Sequence, residues 1–187
     1  MHDKPSRTSS FTLWTGRVLM ATAALLGTTV WADDYDDALG LMRAGKYAES
    51  LAKADAVLAS KPKDVQMQFI KGSVLQASGQ QNEALAVFSK LTEDYPELAE
   101  PYNNLAVVLA AQNQFEKARI ALEMAIRNKP DYATAYENLG DVYAKLAAQA
   151  YNKAAQLDPA ASSVRPKQSL LNDVFKLSAN AAKKSGK

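Results

Sequence analysis

The chain contains no cysteine, and its one histidine is His2. Disulfides, thiolate nucleophiles and Cys-ligated metals are therefore excluded. Beyond His2 no imidazole remains for a nucleophilic triad or for a zinc site of the usual nitrogen and sulfur kind. Aromatic residues make up 8% of the 187 residues, which is too few for a strand-rich fold to be the first expectation. Eight glycines and seven prolines leave room for long uninterrupted helices. No G-x-x-x-x-G-K-[ST] or G-x-G-x-x-G occurs, so no phosphate cradle is encoded. With 48% apolar and 22% charged residues, the chain can build one domain with a sizeable core.

The N-terminus reads as a targeting segment. Lys4, Arg7 and Arg17 stand against one acid, Asp3, and Val18 to Trp31 carries no charge. The stretch ends Val30-Trp31-Ala32, small residues flanking the tryptophan just before Asp33. A basic region, a short apolar run and such an exit describe a secretory signal peptide over 1–32, with cleavage expected after Ala32. The run is shorter than the roughly 20 residues a spanning helix needs. The expected mature protein is periplasmic in a bacterium, without an integral membrane segment. Without residues 1–32 the basic and acidic counts are equal. The balance is uneven along the chain: Arg165, Lys167, Lys176, Lys183, Lys184 and Lys187 face only Asp173 after residue 160, so the body is acidic. That body is a poor nucleic-acid binder.

A period of 34 residues organises the middle. Pro62, Pro96 and Pro130 follow it, as do Ala38, Gly72, Ala106 and Gly140. So do Gly45, Gly79 and Asn113, and Leu41, Leu75, Leu109 and Tyr143. A fixed period of this size marks stacked helical pairs. Apolar residues keep helical spacing within each unit, as in Leu105, Val108, Leu109 and then Ala118, Ala121, Leu122, Ala125. Gly45, Gly79 and Asn113 fall where the first helix of each pair ends in a left-handed cap. The prolines close each second helix. Ala38, Gly72, Ala106 and Gly140 sit where the two helices of a pair approach closely, opposite Ala84 and Ala118. Phe88, Leu122 and Tyr151 are expected between neighbouring units.

These positions resemble the tetratricopeptide repeat family. Tyr136, Leu139, Gly140 and Tyr143 match the first half of its pattern. Tyr102, Leu105, Ala106, Ala118, Leu122, Ala125 and Pro130 match across a whole unit, as do Gly72, Gly79, Ala84, Phe88 and Pro96, with Lys71 in place of the usual Leu. The first unit departs most: Ser50 replaces the usual Ala, and Asp34 and Asp37 replace the aromatic and Leu. The resemblance implies an all-α fold, a right-handed superhelical solenoid of helix-turn-helix repeats, here at about 31–64, 65–98, 99–132 and a shortened 133–161.

The fourth unit lacks five residues, because Pro159 follows Pro130 by 29 rather than 34. Counting back from Pro159 puts Ala147, Tyr151 and Ala154 at second-helix positions, so the turn after Leu146 is what is missing. No Gly or Pro interrupts Asp141 to Asp158, and the stripe Tyr136, Leu139, Tyr143, Leu146, Ala150, Tyr151, Ala154, Leu157 stays in phase. One fused helix is predicted over 133–157. A loop at Ser162–Pro166 and a capping helix at 167–178 follow, the latter within a 162–178 segment whose Leu170, Val174 and Phe175 should pack on Tyr143, Tyr151 or Ala147. Residues 179–187 read as a disordered basic tail.

Chemistry is nearly absent from this sequence. Glu137 and Asp141, an i,i+4 pair, read as a solvated helix face, and the acids Asp33, Asp34, Asp36 and Asp37 lack the loop spacing of a calcium site. No enzyme, metal or cofactor is expected. What remains is binding. First helices line the concave side, where Phe69, Asn103 and Glu137 repeat, then Ser73, Val107 and Asp141, then Gln66, Glu100 and Thr134, flanked by Ile70, Asn104 and Asn138. The asparagines can donate to and accept from a peptide backbone, and Phe69, Ile70 and Val107 offer an apolar floor. In relatives that grip a C-terminal carboxylate, Lys and Arg stand at such places; Thr134, Glu137 and Asp141 argue against that grip here. The expected peptide groove is therefore Gln66, Phe69, Ile70, Ser73, Asn103, Asn104, Val107, Glu137, Asn138 and Asp141. The expected function is an adaptor of the cell envelope holding a protein or extended peptide. The alternative is a structural protein that self-associates, as a homodimer, through the fused helix.

Overall fold

The computed structural model describes the backbone of residues 29–160 and 162–185, and the side chains of 34–160 and 162–176. The predicted signal peptide, with its cleavage site at Ala32, lies outside the described side chains, and all but its last four residues lie outside the described backbone. Among the described residues there are eight helices and no strand. They are α1 (Thr29–Arg43), α2 (Tyr47–Ser60), α3 (Val65–Ala77), α4 (Gln81–Asp94), α5 (Ala99–Ala111), α6 (Phe115–Asn128), α7 (Ala133–Leu157) and α8 (Val164–Ser185).

The first six helices form three antiparallel hairpins, and one backbone device closes each first helix. Gly45, Gly79 and Asn113 adopt φ of 72°, 82° and 59°. At each, the N–H of the next residue donates to a carbonyl five residues back: Lys46 to Leu41, Gln80 to Leu75 and Gln114 to Leu109, all 2.9 Å. The left-handed residue itself donates three back, to Met42, Gln76 and Ala110. This paired arrangement satisfies two carbonyls that the helix end would orphan. The second helices end alike, with Lys61, Tyr95 and Lys129 donating to the carbonyls of Val57, Leu91 and Ala125 at 2.9 Å.

The core runs along the stack in three linked clusters. Ala38, Ala54 and Val57 of the first hairpin meet Met67, Ile70 and Val74 of the second. Phe88 and Leu91 meet Val108 of the third, and Leu122 and Ala125 meet Ala135 and Val142 of α7. The 34-residue period thus places each unit's apolar faces against the next unit. In the second hairpin the approach leaves no room: a Cβ on Gly72 would lie 2.8 Å from two ring carbons of Phe88. Ser50, the departure from the usual Ala, is fully buried, and its hydroxyl donates to the carbonyl of Ala38 at 2.7 Å. Asp34 and Asp37, the other departures, both pair with Lys53, at 2.7 and 3.1 Å.

The fourth unit is one 25-residue helix. Its far end nevertheless keeps the second-helix signature, since Asp158 N–H donates to the Ala154 carbonyl at 2.9 Å as Lys129 does to Ala125. The two helices of a hairpin have been joined end to end by the loss of their turn.

The C-terminal segment corrects three expectations. The helix starts at Val164, not 167, so Ser162–Pro166 is not all loop; Pro166 sits in the first turn, where a missing N–H costs nothing. It runs on to Ser185, through most of the stretch expected to be a disordered tail. The packing face also differs. Leu170 and Val174 are 67% and 40% exposed. Of the three residues expected to pack, Phe175 makes contact, its ring 3.9 Å from the Lys145 ammonium, and it is joined by Gln168, whose amide donates to Asn152 at 2.8 Å. With buried Val164 and half-buried Leu171, these residues follow i, i+4, i+7, i+11. The apolar residues of α8 span more than one face, and the register that buries Val164 turns Leu170 outward.

Candidate partner-binding groove

The first helices α3 and α5 and the first half of α7 present their inner residues to one side of the stack. Two adjoining cavities open there and share Val107. One, of about 330 Å³, is lined by Met42, Ser73, Gln76, Gln81, Asn104 and Val107 together with Ala77 and Ala111. The other, of about 210 Å³, is lined by Val107, Phe115, Asn138, Asp141, Val142 and Lys145 with Ala106, Ala110 and Leu122. Together they form a groove with an apolar floor and a few polar groups.

Of the ten residues expected there, Ser73, Asn104, Val107, Asn138 and Asp141 line these cavities. Ile70 does not: it is 3% exposed and belongs to the core between the first two hairpins. Phe69 packs edge-on against Phe88, with centroids 5.8 Å apart and planes at 63°. Gln66 and Glu137 are exposed and line neither cavity. Asn103 is buried at 4% and works beneath the surface. Its carbonyl oxygen accepts from Asn138 at 2.8 Å, and its amide donates to Asn104 Oδ1 at 3.2 Å. The three asparagines therefore form one chain of hydrogen bonds from α7 to α5, and the outer two present their remaining capacity to the groove.

Sequence reasoning missed Met42, Gln76, Gln81, Phe115 and Lys145. Phe115 and Gln81 open second helices, and a groove drawn only from first helices omits the turn residues that close its side. Gln81 carries a buried side-chain oxygen with no hydrogen-bond partner, beside the larger cavity. Lys145 brings a cation into the groove where only acids were expected, with the Phe175 ring beside it.

Around this groove the electrostatics are those of surface ion pairs. Lys129 is held above its ordinary pKa by its hydrogen bond to Glu100 at 3.1 Å, and Arg119 by Glu116 and Glu123. Burial raises the Tyr132 phenol. Among the described residues no group of three or more His, Cys, Asp or Glu is placed to hold a metal ion. No helix among them is long and apolar enough to cross a membrane.

Residues 66–131 and 103–162 match two sequence profiles, each described as tetratricopeptide repeat. Together they cover just over half of the chain. The chain is 36% identical over 89 residues to the tetratricopeptide repeat domain-containing protein PYG7, chloroplastic, of Arabidopsis thaliana, covering 45% of this chain and 30% of that protein. It is 28% identical over 124 residues to the human superkiller complex protein 3, covering 66% of this chain and 8% of that protein. The chain thus spans less than a third of the length of either curated relative. Among solved structures, the fold is shared with MamA (TM-score 0.55, 24% identity, covering 80% of this chain and 85% of that one). It is shared as well with a thermophilic repeat protein of Thermus thermophilus (TM-score 0.59, 21% identity, 77% and 82% covered). Period, capping pattern, hairpin packing and these matches agree: the chain belongs to the tetratricopeptide repeat family.

Proposed function

We propose that this protein is a non-enzymatic adaptor that holds an extended segment of a partner protein in the groove running from Met42 to Lys145. The carrying observation is the pairing of an apolar floor at Val107 with the linked asparagines Asn104, Asn103 and Asn138. An extended peptide exposes alternating N–H and C=O groups, and an asparagine side chain serves both. The buried Asn103 fixes the orientation of its two neighbours, so their ordering entropy is spent in folding rather than on binding. The partner's apolar side chains would occupy the cavities on either side of Val107. Photo-crosslinkers at Val107 and Asn104 should capture the same partner segment, while one at Glu93 on the exposed face of α4 should not. Equal capture from all three positions would refute the groove.

We further propose that the protein acts in the bacterial cell envelope, after removal of residues 1–32. The support is the basic, apolar and small-residue order of that segment. N-terminal sequencing of protein from an envelope fraction should begin at Asp33; intact Met1 on the accumulated protein would overturn it.

A further inference from the structure

The 34-residue period assigns equivalent positions to Gly72, Ala106 and Gly140, yet their surroundings differ. Gly72 and Ala106 are buried under the second helices of their own hairpins. A Cβ on Gly72 would strike Phe88, but around Gly140 nothing lies within 4 Å of that point. Leu75 and Leu109 are each 6% exposed, whereas Tyr143, at the same place in the fourth unit, is 48% exposed and Tyr136 is 51% exposed. The helix α7 thus presents an open face of Tyr136, Gly140 and Tyr143, with half-buried Ala144 beside them. It continues the faces of α3 and α5 that α4 and α6 cover. Helix α8 does not cover it: its contacts fall on Lys145 and Asn152, turned away from Gly140 around the helix, and on Tyr151, three turns farther along.

The complement of this face is in the same chain. Counted back from the helix end, Ala147, Tyr151 and Ala154 correspond to Ala84, Phe88 and Leu91 of the second unit, where Phe88 covers Gly72. The shared closing hydrogen bond, Asp158 to Ala154 and Tyr95 to Leu91, fixes that register. While Ala84, Phe88 and Leu91 are buried, all three counterparts are only half-buried. They cannot reach Gly140 in their own chain. Eleven residues of continuous helix hold Tyr151 about 16 Å from Gly140.

We propose that the occupant of this face is a second copy of the chain. Two α7 helices crossing antiparallel bring Tyr151 of each onto Gly140 of the other, with Ala144 opposite the partner's Ala147. Both contacts form at once about a two-fold axis between positions 145 and 146, so the surface is self-complementary and closes at two copies. Each hairpin that the missing turn prevents within one chain is rebuilt between two. The exposed Lys167 ammonium lies 5.4 Å from the Tyr151 ring, and a flexible lysine can turn aside. The proposal is independent of the groove on the inner side.

The test uses the purified protein, whose lack of cysteine gives a clean background. Light scattering should show a dimer. Inserting a copy of residues 79–83 between Leu146 and Ala147 restores the 34-residue spacing, lets the hairpin close within one chain, and should give a folded monomer. Gly140→Leu should raise the dimer dissociation constant at least tenfold; with nothing near that position in one chain, the monomer should keep its helical content. The double variant Gly140→Cys with Tyr151→Cys should oxidise to a covalent dimer, since the two positions are too far apart within one helix for a bond; neither single variant should, because like positions of the two copies stand about 16 Å apart across the axis. A monomer at every concentration would overturn the proposal and leave the face to a helix of another protein. A dimer unchanged by the insertion, or a ladder of larger species from the double cysteine variant, would overturn it equally.

Discussion

The ring of Phe88 lies against Gly72 so closely that a Cβ there would stand 2.8 Å from Cε1 and Cζ. Both residues are buried, and Val87 crowds the same point at 3.1 Å. Gly72→Ala should therefore destabilise the protein by about 1–3 kcal/mol, the usual cost of overpacking a core. At concentrations low enough to keep single chains, Gly140→Ala, at the equivalent position with open space, should be neutral or stabilise by up to about 1 kcal/mol through helix propensity. Urea unfolding of both variants measures the contrast. Equal effects in the single chain would mean that the fourth unit is closed within its own chain as the second is.

That contrast explains what the sequence disclosed and what it hid. The period showed the hairpins, the left-handed residues at Gly45, Gly79 and Asn113, and the fused helix, because each depends on local spacing and on the absence of a turn. The groove was half legible. Ser73, Asn104, Val107, Asn138 and Asp141 line it because first-helix positions repeat. Ile70 did not belong: it shares its repeat position with Asn104 and Asn138, but in the second unit that place is packed into the core with Ala38, Ala54 and Val57 of the first hairpin. Gln81, Phe115 and Lys145 escaped notice because they reach the groove from turns and from beyond the last full unit. The face that α8 buries was not legible at all: Leu170 and Leu171 are adjacent and alike, and only tertiary packing chooses between them.

The side chain of Asp64 joins two units. One carboxylate oxygen accepts the backbone N–H of Met67 at 2.9 Å and caps α3, and the other accepts the Tyr35 hydroxyl at 2.6 Å. Asp64→Ala loses the cap as well as the tyrosine contact, and should cost about 1–2 kcal/mol. Tyr35→Phe loses only the second bond, and should cost about 1 kcal/mol or less. Thermal melts of the two variants should rank in that order.

Alkaline pH tests the first hairpin. The hydrogen bond to Asp64 raises the Tyr35 phenol, and hydrogen bonds to Asp34 and Asp37 raise the Lys53 ammonium. A group whose folded pKa is raised contributes stability that is fully present below its unfolded pKa and is lost as pH rises through the folded value. Stability should therefore hold through neutral pH and fall above about pH 10. Tyr35→Phe combined with Lys53→Met should flatten that part of the profile. An unchanged slope would show that other groups govern the alkaline limb.

The asparagine chain makes a second contrast. Asn138→Ala leaves the buried Asn103 oxygen without its donor, and should cost about 1–3 kcal/mol. Replacing both Asn103 and Asn138 by Ala should cost less than the sum of the single changes, because no oxygen of Asn103 is left orphaned and Asn104, released by Asn103, opens to the groove. Additive losses in a double-mutant cycle would show that the two side chains do not act together.

The C-terminal helix holds α7 by one side, and the two sides can be told apart. Phe175 is half-buried with its ring 3.9 Å from the Lys145 ammonium, and Gln168 bonds Asn152 two turns nearer the helix start. Truncation after Ala160 removes both contacts and uncovers the Ala148 and Asn152 side of α7, so it should lower the melting temperature. Within the full chain, Phe175→Ala should reproduce part of that loss. A double-mutant cycle with Lys145→Ala should return a coupling of about 0.5–1 kcal/mol, the usual size of an ammonium over an exposed ring. Leu170→Ala should leave stability within about 0.5 kcal/mol, as expected for a side chain facing solvent. The reverse pattern, a loss at Leu170 and none at Phe175, would mean that α8 docks through its other face, and the cavity shared by Phe115, Lys145 and Phe175 would then be absent in solution.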